Sequence, residues 1–214
     1  MNGSKHFFTF AVTFRFGRGF HSQIRLIYSF NLNSISDNAL MLKVKSGDID
    51  RMGMLFERYH RKLFGFLYHM TGQADLSEDM VQNVFYRMLK YRHTFTGEGE
   101  FRTWMYHLAR NVLADQVKKE KRHPRLSDYD NLAERVGGGP QADERLHKEQ
   151  EIALLQYALD QLSAEKREIL VLSRYQELKY EEIARLLNTT EGAVKVRVHR
   201  AMQELKNIYL KIEN

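Results

Sequence analysis

Residues 180–201 read YEEIARLLNTTEGAVKVRVHRA. Tyr180 to Leu187 makes one short helix, Asn188-Thr189-Thr190 breaks it, and a last helix runs from Glu191 to about Ile212. Two helices joined by a turn of three or four residues, the second of them basic, form a helix-turn-helix. Ala184 stands where the two helices need a small side chain to approach each other. On the last helix Val194, Val198, Met202 and Leu205 make the buried stripe. Lys195, Val196, Arg197, His199 and Arg200 are left on the solvent-facing and flanking sides, where a DNA major groove fits.

Upstream, Ser163-Ala164-Glu165 offers an N-cap and a first-turn acid for a helix over Lys166 to Arg174. Ile152, Leu155, Leu159 and Leu162 mark another helix before it. Leu126 to Gln141 carries many acids and Gly137-Gly138-Gly139-Pro140, the composition of a flexible linker. Four helices precede the linker. Leu40, Leu42 and Val44 belong to the first, and Met52, Leu55, Phe56, Tyr59, Leu63, Phe66 and Leu67 to the second, with Gly47-Asp48 between them. Leu76, Met80, Val81, Val84, Phe85, Met88 and Leu89 form the third. Phe101, Trp104, Met105, Leu108, Val112 and Leu113 form the fourth, which ends before Pro124. With 2 prolines and 13 glycines in 214 residues, the chain lacks the turn chemistry of an all-β protein. The expected fold is therefore all-α, with two small helical domains joined by a flexible acidic linker. The expected boundaries are an extension over 1–34, a first domain over 35–122, a linker over 123–145 and the helix-turn-helix domain over 146–214.

The charge is sorted along the chain. Of the formal +6, residues 1–34 supply +4 through Lys5, Arg15, Arg18 and Arg25. From Arg102 to Arg125 seven cations face two acids, and from Leu126 to Glu165 three cations face nine acids. A basic block followed by an acidic one gives a surface for a polyanion and a segment that avoids it. Residues 1–34 hold eight of the 25 aromatics but keep neither helical nor strand periodicity, and read as a poorly ordered extension or an over-long start. Lys5 precedes the apolar run Phe7–Phe14, yet Arg15 and Arg18 follow at once without a small-residue cleavage site, which argues against a secretory signal. No run is long and apolar enough to insert in a membrane. The 0 cysteines exclude disulfides and thiolate chemistry and fit a reducing compartment.

No catalytic pattern emerges. The histidines are not paired at metal-binding spacing with carboxylates, and the glycines of Gly97-Glu98-Gly99 and Gly137–Gly139 lack the flanking strand and Lys-Ser/Thr of a phosphate loop. The expectation is a protein that is not an enzyme and takes no cofactor, metal or small-molecule substrate. By contrast, Tyr91 to Asn111 mixes cations with rings: Arg92, His93, Phe95, Phe101, Arg102, Trp104, Tyr106, His107 and Arg110. Cations hold phosphates and rings receive unstacked bases, a combination suited to opening a duplex. Phe101 and Trp104 are nonetheless at core spacing and are read as packing residues. Asn111 suits adenine, while Lys118, Lys119 and Arg122 suit phosphate.

Asp79-x-x-Gln82-x-x-Phe85 followed by Phe101-x-x-Trp104-Met105-x-x-x-Ala109-Arg110-Asn111-x-x-x-Asp115 resembles the second conserved region of the sigma-70 family, in its small extracytoplasmic-function group. Glu182-Ile183-Ala184-x-x-Leu187 and Gly192-Ala193-Val194-Lys195-x-Arg197-x-x-Arg200-Ala201 resemble that group's fourth region. Ser163, Asn188 and Lys179 depart from it, standing where proline, glycine and serine are usual. The resemblance implies a cytoplasmic sigma factor whose partners are core RNA polymerase and duplex and melted promoter DNA, with room for an anti-sigma factor. It implies that Asp79, Gln82, Asn83 and Tyr86 on the third helix meet the polymerase. It assigns Arg102, His107, Arg110, Asn111, Lys118, Lys119 and Arg122 to the minus-ten element and its melting, with a base-capturing pocket in the Thr94–Glu100 loop. Lys195, Val196, Arg197, His199 and Arg200 then read the upstream element. The alternative is a conventional operator-binding helix-turn-helix regulator, which dimerises on a palindrome and needs no melting segment.

Overall fold

The structure, a computed structural model, describes residues 35–122 and 142–213. The segments read as an N-terminal extension and as most of the acidic linker lie outside the described residues. Among the described residues there are eight α-helices and no strand, the all-α class expected from the pattern.

α1 (Asp37–Lys45) and α2 (Arg51–Thr71) turn about Gly47, whose φ of +111° is a conformation that suits glycine. Gly72, at φ +69°, stops α2 and donates its N–H to the Tyr68 carbonyl. α3 (Ala74–Lys90), a 3₁₀ turn (Arg92–Thr94) and α4 (Phe101–Arg122) complete the first half. Its core is Leu40, Met41 and Val44 from α1, Leu55, Leu63, Phe66 and Leu67 from α2, Val84 and Met88 from α3, and Met105 and Ala109 from α4.

Two apolar positions of this half differ from the sequence expectation, as does Ile152 of the second half, which is 53% exposed. Leu42 is 41% exposed and Met41 takes the core place, because every second residue falls on opposite sides of a helix. Phe56 is 40% exposed, stacking on His60 and lying 4.9 Å from the Phe85 ring.

The loop between α3 and α4 is anchored. Asn38 of α1 donates to the Gly99 carbonyl (2.8 Å) and accepts the Phe101 N–H (2.8 Å), while Lys45 Nζ donates to the Phe95 carbonyl (2.6 Å). Phe95 is buried against Phe101 and Trp104.

The second half contains α5 (Ala142–Asp160), α6 (Ala164–Leu170), a π turn (Val171–Tyr175), α7 (Tyr180–Leu186) and α8 (Glu191–Glu213). α5 begins inside the stretch read as linker. The helix expected over Lys166 to Arg174 is α-helical only to Leu170, then widens, with Gln176 N–H bonding the Val171 carbonyl at 3.0 Å. Ser163 makes no side-chain cap bond. The Arg167 guanidinium instead binds the Asp160 carbonyl (2.8 Å) and the Met70 carbonyl (3.1 Å) and pairs with the Asp160 carboxylate (2.8 Å). Before α7, the Glu182 carboxylate accepts the Lys179 backbone N–H at 2.8 Å, so this half of a capping arrangement forms without serine. Asn188 takes the left-handed conformation, φ +50°, that glycine would otherwise supply.

The halves pack together, α2 against α5, α6 and the π turn, and α4 against α7. Much of this contact is polar. Tyr106 Oη donates to Gln176 Oε1 at 2.7 Å in a buried site, and His69 pairs with Gln156 at 2.9 Å.

Candidate nucleic-acid interface

α8 starts where Thr190 Oγ1 accepts the Ala193 N–H (3.2 Å), which satisfies one of the first-turn donors. Val194, Val198, Ala201 and Leu205 are buried and Met202 is half-buried, so the helix is clamped along one side. Ala184 of α7 is buried at the turn. Lys195, Val196, Arg197, His199 and Arg200 are all exposed, as expected, on the first half of α8. Val196, 48% exposed, adds an apolar surface of the kind that meets a thymine methyl.

On α4 the structure divides the expected DNA-facing residues into two stripes. His107, Asn111, Lys118 and Arg122 lie at helical spacing and are exposed, with Lys119 exposed beside them. Arg102 and Arg110 lie on a different stripe that faces the second half of the chain. Arg110 grips Glu168 through both carboxylate oxygens (2.7 and 3.3 Å) and donates to the Leu186 carbonyl (3.2 Å). Arg102 donates to the Gln176 carbonyl (3.0 Å) and approaches Glu182 at 3.9 Å. His107 has its pKa lowered by partial burial and by the neighbouring Arg110 charge.

Tyr106 is corrected by the structure: it is 1% exposed and hydrogen-bonded to Gln176, hence a packing residue rather than a ring free to receive a base. Burial of its hydroxyl raises its pKa. Trp104 is half-buried rather than fully enclosed, donating Nε1–H to Thr94 Oγ1 (3.2 Å). Phe95 is likewise enclosed.

Asp79, Gln82, Asn83 and Tyr86 form an exposed stripe on α3, with Tyr86 60% exposed. Asp79 and Asn83 line an open groove with Gln73, Asp75, Asp115, Gln116 and Lys119. Arg87 braces its wall, donating to Asn83 (3.0 Å) and Asp115 (2.8 Å). That contact lowers the Asp115 pKa, through the hydrogen bond first and the Arg87 charge second. The sequence reading missed Glu168, Gln176 and Glu182 as partners of α4. No local pattern marks them, because each meets α4 only through tertiary packing. Among the described residues no group of three or more metal-ligating side chains occurs, and no helix is long and apolar enough to cross a membrane.

A helix-turn-helix with an exposed basic helix, preceded by a helical unit with its own basic helix, is the arrangement of a DNA-binding protein. Family models described as Sigma-70 region 2 and Sigma-70, region 4 match residues 55–123 and 152–205. The chain is 30% identical to the ECF RNA polymerase sigma factor SigX of Bacillus subtilis, over 72% of this chain and 80% of SigX. It is also 30% identical to SigW of the same organism, over 77% of this chain and 91% of SigW. In fold it is similar to CnrH, solved with the cytosolic domain of CnrY, with a TM-score of 0.64 and 22% identity, covering 83% of this chain and 99% of the other. The chain belongs to the extracytoplasmic-function group of the sigma-70 family. It is an RNA polymerase sigma factor, which directs core polymerase to promoters for transcription initiation. The regulator alternative is not favoured, since both sigma regions are present in order.

Proposed function

We propose a division of labour among three surfaces of this sigma factor. The exposed face of α8, Lys195, Val196, Arg197, His199 and Arg200, reads the upstream, minus-thirty-five element. The outer stripe of α4, His107, Asn111, Lys118, Lys119 and Arg122, together with Arg102 and Arg110, engages the minus-ten element and the melted strand. Asp79, Gln82, Asn83 and Tyr86 of α3 dock on core polymerase. The units are a region 2 domain over 35–122 and a region 4 domain over 146–214, joined by the acidic linker. The protein works in the cytoplasm as an initiation factor without catalytic activity of its own. An anti-sigma partner is part of this reading, supported by the fold shared with CnrH, whose solved complex contains CnrY.

The observation that carries the reading is the sidedness of α8: Val194, Val198, Ala201 and Leu205 are buried while all five candidate readers are exposed on its first half. Changing Lys195 and Arg200 to alanine should weaken recognition of the upstream element, by about 1–3 kcal/mol for a base contact and more uniformly across sequences for a phosphate contact. Holoenzyme carrying these substitutions should still engage premelted downstream DNA. Normal transcription from every template would remove α8 as the reader.

A further inference from the structure

We propose that α1 sets base choice in the minus-ten element: its Asn38, Leu42 and Lys45 hold the loop between α3 and α4 in the one conformation that discriminates among unpaired bases. They are positioning residues, acting through the loop rather than on DNA. The inference rests on the expectation that the Thr94–Glu100 loop takes a base from the melted strand.

Asn38, Leu42 and Lys45 stand at i, i+4 and i+7 of α1, on a stripe distinct from the core stripe of Leu40, Met41 and Val44. The core stripe already docks α1, each of its residues being 0% exposed, and Asp37 adds hydrogen bonds from Arg58 and Tyr59 of α2. The second stripe is therefore not needed to hold α1 in place. It meets the loop at every other residue. Lys45 Nζ donates to the Phe95 carbonyl at 2.6 Å. Gly97, at φ +85°, passes so close to Leu42 that a Cβ there would lie 3.2 Å from a leucine methyl carbon. The Asn38 amide donates to the Gly99 carbonyl, and its oxygen accepts the Phe101 N–H at the head of α4, both at 2.8 Å. Phe95 and Phe101 are buried as well, so both ends of the loop are also fixed from the core side. The fixed points fall at 95, 97, 99 and 101, and the intervening Thr96, Glu98 and Glu100 are exposed.

The result is a row of outward side chains on a pinned backbone. Carboxylates at Glu98 and Glu100 repel phosphate and accept hydrogen bonds from the ring and amino N–H groups of a base. The Thr96 hydroxyl accepts the Glu98 N–H at 3.3 Å and keeps a proton to donate. Discrimination among bases needs stiffness, because a wrong base must leave a polar group unpaired, and a loop free to rearrange would find that group a partner. Gly97 and Gly99 give the loop little stiffness of its own. It comes from α1, whose anchoring side chains lie 50 to 63 positions upstream of the groups they hold.

The test uses the full chain assembled with core polymerase. The probe is forked DNA with a duplex upstream element and a single-stranded minus-ten element, each position of which carries each of the four bases in turn. Glu98→Ala with Glu100→Ala marks the position that the loop reads, as the one where base preference falls. Asn38→Asp keeps the acceptor for the Phe101 N–H and suits the first turn of α1, but no longer donates to Gly99. Lys45→Met keeps the side chain's length and loses its donor. At the marked position these two substitutions together should cut the ratio of best-base to worst-base affinity about tenfold, the scale of one base contact. Preference in the upstream element and the melting temperature of the free chain, followed by circular dichroism, should hold. Lys45→Arg retains a donor and should retain the parent's preference, and Lys43→Met, at an exposed position of α1, controls for lost charge.

An equal loss of affinity for all four bases shows a merely structural contact and overturns the role of α1, as does a base preference left intact in the Asn38→Asp, Lys45→Met chain. In both cases the loop stands as the reader. Failure of the underlying reading shows differently: if Glu98→Ala with Glu100→Ala alters base preference at no position, the loop reads no base, and the role of α1 falls with it.

Discussion

At the residue scale the interface between the halves depends on a few polar groups held out of water. His69 is one: its ring lies 4.1 Å from Tyr175, its Nδ1 pairs with Gln156, and Asp160 contributes a nearby negative charge. Burial lowers its pKa below 6.5, and the hydrogen bond and Asp160 only partly offset that. The folded chain therefore takes up this proton less readily than the unfolded chain. Its contribution to stability is present above about pH 6.5 and is lost as pH falls through that value toward the lowered folded pKa. Melting temperature should drop between about pH 7.5 and about pH 5.5, and His69→Gln should flatten the drop. His107, also lowered, remains in both proteins, so the comparison isolates His69. A pH profile unchanged by the substitution removes His69 from the account. None of this was legible in the sequence, where His69 is one of several polar residues on α2 and its partner lies 87 positions away.

At the element scale the helices were largely legible. α3 and α8 each show an apolar stripe and a polar opposite face, and burial follows the stripe in both. The misplacements have one cause, which is that spacing defines a face but not how much of it a neighbour covers. Leu42 and Phe56 belong to apolar surface that no second layer closes, and Tyr106 belongs to a polar-looking face that one does close. The α3 stripe gives the clearest test. Gln82 and Asn83 are exposed, and the Asn83 side-chain oxygen accepts a hydrogen bond from Arg87 of its own helix. Gln82→Ala with Asn83→Ala should weaken binding to core polymerase while changing folding stability by no more than about 0.5 kcal/mol, the usual range for surface positions. Affinity equal to the parent's, measured by competition for core enzyme, would place the polymerase contact elsewhere.

At the scale of the whole molecule, the proposed division of labour imposes a distance on the promoter. Under it, α8 and the outer stripe of α4 engage elements that polymerase holds at fixed separation. One added base pair moves a site by about 3.4 Å and rotates it by roughly 34°, given 10–10.5 base pairs per turn. A change of two base pairs in the spacer should therefore reduce transcription sharply, and lengthening the Gly137–Gly139 run should not restore it. Broad tolerance of spacer length in a transcription assay would mean that the readers bind independently.

The amino-acid sequence alone determined the helical class, the helix-turn-helix, the order of the two sigma regions and the candidate readers of α8. These are local matters: periodicity places a side chain on one face of its own helix, and a turn of Asn188-Thr189-Thr190 ends one helix and starts the next. Tertiary structure alone decided which cations of α4 are free. Arg102, Arg110, Lys118 and Arg122 look alike in sequence, yet two of them meet carbonyls and carboxylates brought from 58 or more positions away, and two meet solvent. A charge on a helix is defined by its neighbours in space, and those neighbours exist only once the halves have packed.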